Sequence, residues 1–375
     1  MSGYGHQLRF WSGELPRRAK RSLAWHMPPD VNSWLVNALE SVNRPRDLTL
    51  GTGLSRATEI VQERHVLSTS AVLVCPELPG VLAEDGYWFP PTTVYRLGGV
   101  RVDIDSGGLV FSRDWVVNGS GPGQRWSIDT AFITGAARRV RAAARRPESR
   151  PVAVLGNADE LYHFLMETLP QVLRIREVEP ETIFLTSGNV APFARDRLDE
   201  LGVRLQQEPR HEVLDCENHY LCPGYPRERT HPADMDLLAT TYAPQAIAGS
   251  ATARVYVSRA GSARSIHEEE RLEAWLRTRG FDIVRLETLP FAEQVACLAS
   301  AELVVGPHGM GLANTVFMPP GGRVIELAST EWWSNAFRRI SQARGHRYTL
   351  VPLASTPVAR WGSADEAIAL LDPLV

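Results

Sequence analysis

The sequence predicts an α/β fold with parallel sheets, and three observations carry that expectation. From Pro151 onward, short apolar runs alternate with stretches of helical period. The alternation occurs twice, in a block from Pro151 and in a second block from near Arg254, with no repeat at fixed period. The chain has 375 residues, enough for two domains of ordinary size. Strands alternating with helices call for a parallel sheet with helices on both faces.

Residues 1–50 are irregular and proline-containing, with a basic cluster from Arg17 to Arg21. Residues 51–135 read as β-rich. The stretch TTVYRLGGVRVDIDSGGLVF alternates apolar and polar residues and turns at Asp105-Ser106-Gly107-Gly108, a hairpin signature. Arg138 to Arg150 is basic and Ala-rich, a surface helix ending in a linker. In the first αβ block VAVLG is a strand, Asp159 to Arg176 a helix, TIFLT a strand and Ala191 to Leu201 a helix. Weaker strands then run to HYLCPGYP. In the second block RVYVSR is a strand. Ser265-Ile266-His267-Glu268 reads as a capping box opening a helix that Gly280 stops. FDIVRL, ELVVG, RVIEL and RYTLVP are strands, with helices over Phe291 to Ala301 and Ser334 to Arg344. A last helix starts at Ser363, with Glu366 completing a second capping box.

Composition removes several function classes. Hydrophobic residues make up 44% and charged residues 22%, the balance of a soluble globular protein. A net charge of −3 gives no general attraction to nucleic acid or to an anionic membrane, so any phosphate contact is local. No run approaches the ~20 apolar residues of a spanning helix, and the N-terminus lacks a long apolar core of the secretory type. The expectation is a cytoplasmic protein without a membrane span, compatible with peripheral association. Cys75, Cys216, Cys222 and Cys297 form no CxxC pair and no zinc spacing, so reduced thiols are expected.

The stretch LVVGPHGMGLANTVFMPPGGRVIEL, from Leu303 to Leu327, asks why a histidine stands between glycines where a strand hands over to a helix. Glycines there let a backbone approach a ligand, and a helix start offers N–H groups to an anion. Tight-turn glycines are the plain alternative. In open α/β sheets, ligands bind beyond the carboxyl ends of strands. Three such ends carry Arg259, the loop of His308, Gly309 and Gly311, and Glu326. An arginine fork suits a diphosphate, and a carboxylate suits ribose hydroxyls. Together they describe a nucleotide site. The loop is not GxGxxG, which disfavours a dinucleotide, and the chain's one lysine, Lys20, leaves no Walker loop.

The first block contributes GNADELYHFLMETLP. His163 and Glu167 lie four apart on one helix face, opposite a Leu161, Leu165, Leu169 stripe. The plain reading is a solvated polar face. The functional one is a base dyad, the carboxylate orienting the imidazole. Pro170 removes a backbone bond to Met166 and is expected to kink the helix beside the pair. Asp103-Ile104-Asp105 and Asp234-Met235-Asp236 look like DxD metal motifs. The first runs into a turn and the second into a helix start, so neither is expected to bind metal.

These motifs resemble, in order, those of family 61 glycosyltransferases. GNADELYHFLMETLP is similar to the family's Asn…His-x-x-x-acidic…Leu-Pro segment, at Asn157, His163 and Glu167. RVYVSRAGSARSIHEEE is similar to its strand–Ser-Arg segment, at Ser258 and Arg259. SAELVVGPHGMGLANTVFMPPGGRVIEL is similar to its most specific signature, at His308, Gly309, Gly311, Asn314 and Glu326. The resemblance covers about Tyr95 to Val351. Met310 departs from the small residue usual there, and His267 from an asparagine.

The resemblance implies a GT-B-like fold, two Rossmann-type domains facing a cleft, with a β-rich N-terminal portion. It implies residues 1–235 as the acceptor-side domain and 250–355 as the nucleotide-sugar domain. The helix in 356–375 is expected to pack back on the N-terminal domain. It implies an inverting, metal-independent transferase using no cofactor, only a nucleotide sugar, UDP-linked, as co-substrate. The acceptor is a glycan or other hydroxyl compound, in surface polysaccharide or glycoconjugate synthesis of a bacterial, capsular type. His163 or Glu167 is the base; Arg259, His308, Gly309, Gly311, Asn314 and Glu326 hold the donor, supported by Asn157 and Ser258. The alternative is a non-catalytic nucleotide-sugar-binding subunit of an assembly complex, which needs no base.

Overall fold

The computed structural model describes residues 54–60, 72–73, 92–106, 109–112, 115–117, 139–140, 142–222, 230–244, 251–331, 334–359 and 361–375. Arg17 to Arg21, Lys20, Cys75 and the Gly107-Gly108 half of the expected turn lie outside them. The chain divides into Met1–Leu48 and Thr49–Val375, and the second unit alone holds two sheets.

The first sheet is mixed. Its strands are β1 (Leu54–Ile60), β3 (Thr92–Leu97), β4 (Val100–Asp103), β5 (Leu109–Ser112), β6 (Trp115–Val117), β7 (Pro147–Val154), β8 (Ile183–Thr186), β9 (Arg204–Gln207) and β10 (Val213–Leu221). Strands β7, β8, β9 and β10 pair in parallel in the order β10-β7-β8-β9. β3 and β4 pair successively with β10, antiparallel, and β4 pairs with β5 as the hairpin signature expects. β7 starts at Pro147, so the expected linker before Arg150 is strand. Arg146 and Arg150 are fixed there by ion pairs to Glu208 and Glu148, each at 2.6 Å.

The second sheet is all parallel, in the order β12-β11-β13-β14-β15-β2. Here β11 is Ala253–Val257, β12 Phe281–Val284, β13 Ala301–Pro307, β14 Arg323–Ser329 and β15 Arg347–Leu353. β2 is Val72–Leu73, lent from the N-terminal half. Its strands read as near-continuous Val, Ile and Leu because both faces are covered. Tyr256, Val305, Ile325 and Val351 are buried on one side with Leu272 and Leu276; Val255, Val304 and Val324 are buried on the other with Phe317 and Phe337.

Helix ends follow local chemistry. Gly280 adopts φ 76° behind the Glu269–Arg277 helix, the left-handed stop expected of it. Ser363 caps the Ala364–Leu371 helix by accepting from the Glu366 N–H. The other capping box fails. Glu268 sits at φ 57° without a side-chain cap, and the Glu269 carboxylate accepts from the Ile266 N–H at 3.2 Å instead. The final helix also docks elsewhere than expected. Ala364, Ala367 and Leu371 pack with Leu272, Leu276 and Val351, and Asp365 pairs with Arg271 at 2.7 Å, so it covers the second sheet.

Candidate functional site

In open α/β sheets a crevice for ligands is expected where the order of the parallel strands reverses, as it does once in each sheet. In the second sheet the reversal lies between β11 and β13. Arg259 follows β11 and His308 follows β13, so the two residues flank that crevice. The Arg259 Nη1 donates to the His308 carbonyl at 2.8 Å, tying the two loops. Ser258, buried behind it, donates to Glu273 at 2.7 Å and accepts from the Ala260 N–H at 3.1 Å, which fixes the turn. The Glu269 carboxylate accepts from the Arg259 N–H at 2.7 Å and from the Tyr256 hydroxyl at 2.9 Å.

Gly309 is required by space and not by backbone freedom. Its φ of 173° is extended backbone that any residue adopts. A side chain there would displace the Arg259 guanidinium from the loop, because a Cβ would lie 1.6 Å from Arg259 Nη1. Gly306 and Gly311 serve close packing on Val257, where a Cβ would come within 3.2 and 3.0 Å. The segment after Gly309 is a 3₁₀ run, Met310–Phe317, rather than an α-helix. Asn314 within it donates to the Gly311 carbonyl at 3.2 Å and to Gln294 at 3.3 Å, holding the loop's curvature.

Arg259 forms no ion pair with a carboxylate among the described residues; its guanidinium donates to the His308 carbonyl and to the Ser262 hydroxyl. Burial lowers its pKa, and the charge of Arg264 lowers it further. The Glu269 and Glu287 charges raise it in turn without forming an ion pair, so the half-buried guanidinium is only partly compensated and a bound anion would complete that compensation.

Glu326 departs from the expected ribose acceptor. It is 0% exposed, its Oε1 meets His308 Nδ1, and its Oε2 accepts from the Tyr348 hydroxyl at 2.5 Å. Both oxygens are used inside the protein, so Glu326 positions His308. Burial and the Glu326 charge raise the Tyr348 pKa well above its usual value, which keeps that hydroxyl a donor. Sequence reasoning missed Tyr348. Its signal was the register of RYTLVP beside RVIEL, where Tyr348 pairs with Val324, two residues before Glu326 on the same face.

In the first sheet the reversal lies between β7 and β10. The loop after β7 carries Asn157 and leads into a helical run over 161–178. That run contains a π-turn, Phe164–Thr168, in which the Leu169 N–H reaches back to Phe164. Pro170, which follows, lacks the N–H that a regular turn needs and crowds the preceding carbonyls; the wider turn accommodates it. The Thr168 hydroxyl donates to the Asn157 carbonyl at 2.8 Å, fixing the turn to the loop.

His163 Nδ1 lies 3.0 Å from Glu167 Oε1, and Nε2 lies 3.4 Å from Glu160 Oε2. The side chains of His163 and Glu167 are 12% and 16% exposed, so this is no solvated face. Glu160, 56% exposed, was missed by sequence reasoning, which looked four residues along the helix and not three. The Tyr162 ring meets His163 edge-on at 5.5 Å and Phe337 at 6.0 Å, and Phe337 meets His308 at 5.0 Å. A ladder of rings thus links two histidines that lie far apart in sequence.

The DxD aspartates are engaged with basic partners. Asp103 pairs with Arg139 at 2.7 Å, Asp105 with His211 at 2.7 Å, Asp234 with Arg174, and Asp236 with Arg344. Among the described residues no group of three or more His, Cys, Asp or Glu is placed to hold a metal ion, and no helix is long and apolar enough to cross a membrane.

Residues 161–325 match the family model Glycosyltransferase 61. That stretch of the chain is therefore similar to glycosyltransferase 61 proteins. That region spans His163, Arg259 and the His308 loop; Glu326 and Tyr348 fall beyond it. The chain is also similar to the EGF domain-specific O-linked N-acetylglucosamine transferase of Drosophila melanogaster, 32% identical over 96 residues. The similarity covers 25% of this chain and 18% of that protein's length. Both findings support a glycosyltransferase.

Proposed function

We propose that this protein moves a sugar from a nucleoside diphosphate donor, UDP-linked, to a hydroxyl acceptor, with inversion and without a metal. The observation that carries the reading is Arg259, a half-buried guanidinium with no carboxylate partner among the described residues, at the strand-order reversal of the parallel sheet. A diphosphate adds the direct charge partner that Glu269 and Glu287, acting without an ion pair, do not supply. On this reading the second sheet is the donor half of a GT-B-like pair and the first sheet the acceptor half.

The acceptor oxygen attacks the anomeric carbon as the bond from that carbon to the diphosphate oxygen breaks. The diphosphate leaves with the bonding electrons, and Arg259 stabilises the growing negative charge. The hydroxyl proton passes to His163, with Glu167 orienting the ring and stabilising the imidazolium. Glu167 as the base, steadied by His163, uses the same geometry. The name of the Drosophila relative, an O-linked transferase, supports a hydroxyl acceptor. A cytoplasmic role in surface polysaccharide or glycoconjugate synthesis is the setting we propose.

The test is release of nucleoside diphosphate from a panel of nucleotide sugars, with and without excess chelator. Slow hydrolysis unaffected by chelator is expected. A protein that binds UDP but hydrolyses no donor, even with hydroxyl acceptors added, is a binding subunit. A loss of UDP affinity of more than about tenfold on chelation, ~1.4 kcal/mol, overturns metal independence.

A further inference from the structure

The ring ladder between the two histidines has Phe337 at its middle. Phe337 is 3% exposed and is the second residue of the Ala336–Ala343 helix, which follows the strand that carries Glu326. Its ring packs in T-shaped fashion on His308, centres 5.0 Å apart, and on Tyr162, centres 6.0 Å apart. Tyr162 in turn meets His163 at 5.5 Å. A phenyl ring has no charge and no proton to give, so what it supplies there is shape. In a close-packed interior such a ring sets the separation of the groups on its two sides.

The helix behind Phe337 is braced at its other end. Arg344, at its C-terminus, pairs with Asp236 of the Pro232–Tyr242 helix. Two residues earlier on that helix, Asp234 accepts from Arg174 Nε at 2.7 Å, both side chains being buried. Residues two apart on an α-helix point in nearly opposite directions, so the two aspartates reach partners on two sides. Arg174 belongs to the helical run over 161–178 that carries His163 and Glu167. That run is therefore tied to the Phe337 helix twice. The Tyr162 and Phe337 rings tie its start, and the Asp234–Arg174 and Asp236–Arg344 pairs tie its later turns. The closed path holds the His163 pair against the His308 loop, whose carbonyl holds Arg259.

We propose that Phe337 is a positioning residue of the transfer: its ring sets the separation between the His163 pair and the loop that holds Arg259, and so places the base against the donor. This rests on the proposed function. A base that must meet a reacting hydroxyl tolerates little error, since a displacement of about 1 Å can cost ~10²-fold in rate. The Asp234-Met235-Asp236 segment, which holds no metal on this account, acts as the brace of that arrangement.

The experiment measures kcat and KM for release of UDP from UDP-glucose, UDP-galactose, UDP-N-acetylglucosamine and UDP-xylose, and UDP affinity by calorimetry. The proteins are the full-length chain and its Phe337→Leu, Phe337→Met, Tyr162→Leu and Tyr162→Phe variants, with the Phe337→Leu, Tyr162→Leu double variant. Thermal unfolding identifies those that fold; Phe337→Met keeps the space filled without a ring. The three single variants that remove a ring should lose about tenfold or more in kcat, while KM and UDP affinity change by less than about threefold. Tyr162→Phe should keep the rate that Tyr162→Leu loses. The double variant should lose little more than the worse single one, because both break the same ladder. Unchanged kcat in the folded Phe337 variants, equal losses of kcat and UDP affinity, or losses that multiply in the double variant overturn the proposal and leave the site reading standing. An unmodified protein that releases UDP from none of the donors overturns both.

Discussion

Two histidine–carboxylate pairs stand beside the points where the sheets reverse their strand order, and their surroundings differ. His163 stands on a helical run with a π-turn, between two carboxylates, one of them the exposed Glu160. His308 is buried at a strand end. Its N–H extends the sheet to the Leu327 carbonyl at 2.7 Å, and its carbonyl holds Arg259. Its ring is fixed by Glu326, which the Tyr348 hydroxyl fixes in turn. On the proposed function the same two residue types serve different ends. On that reading the first pair exchanges a proton with the acceptor, Glu160 being exposed enough to move aside. A pair whose polar atoms serve the fold acts as a strut for the residue beside it.

The largest expected effects separate the pairs directly. His163→Ala should lower turnover on the order of 10²–10⁴ while UDP affinity and unfolding free energy hold. His308→Ala should leave the buried Glu326 Oε1 without its hydrogen-bond partner, the Tyr348 bond remaining, and cost about 1–3 kcal/mol in chemical denaturation. Glu167→Gln sharpens the first arm: a rate loss smaller than that of His163→Ala makes the imidazole the base, and a larger one makes it Glu167. Should both first-pair variants turn over at the unmodified rate, the comparison fails.

A pH series bounds that test. Burial drives the pKa of His219 down to about 4, and burial with the Arg344 charge does the same to His346. The unfolded chain therefore binds more protons than the folded one between about pH 4 and the ordinary histidine pKa of ~6.5. Stability should rise with pH across that window, by up to about 1.4 kcal/mol per pH unit for each histidine, and level off above it. Denaturant midpoints from pH 4.5 to 8 check this, and midpoints flat below pH 6.5 contradict it. Rate profiles for the His163 pair are best compared above that window.

The smallest effect concerns the two capping boxes. Ser363→Ala should cost about 1 kcal/mol, because its hydroxyl accepts from the Glu366 N–H. Ser265→Ala should cost less than about 0.5 kcal/mol, because Glu269 performs the bonding there. Thermal melts of the two variants compare them directly.

That pair of serines shows what was legible in the sequence. Apolar runs and their breakers located the strands of the second sheet, and Arg259 and His308 stood out because each ends such a run. Strand order was not legible, and it is strand order that puts both residues at one crevice. The burial of Glu326 depends on the register of β14 with β15, which a carboxylate at a strand end does not reveal. The final helix carries an apolar face that fits either sheet, so its docking on the second was decided by packing with Leu272 and Leu276. Gly309 was readable as a close approach, but the approaching group is Arg259 itself.

Arg259, seated against Gly309, is the group on which the donor-site reading depends, and a diphosphate is the ligand it calls for. The decisive measurement is titration of UDP and uridine into the unmodified protein and Arg259→Ala. The expected result is a loss of about 1.5–3 kcal/mol for UDP and little change for uridine. Equal losses for the two ligands, or none for either, would refute the reading.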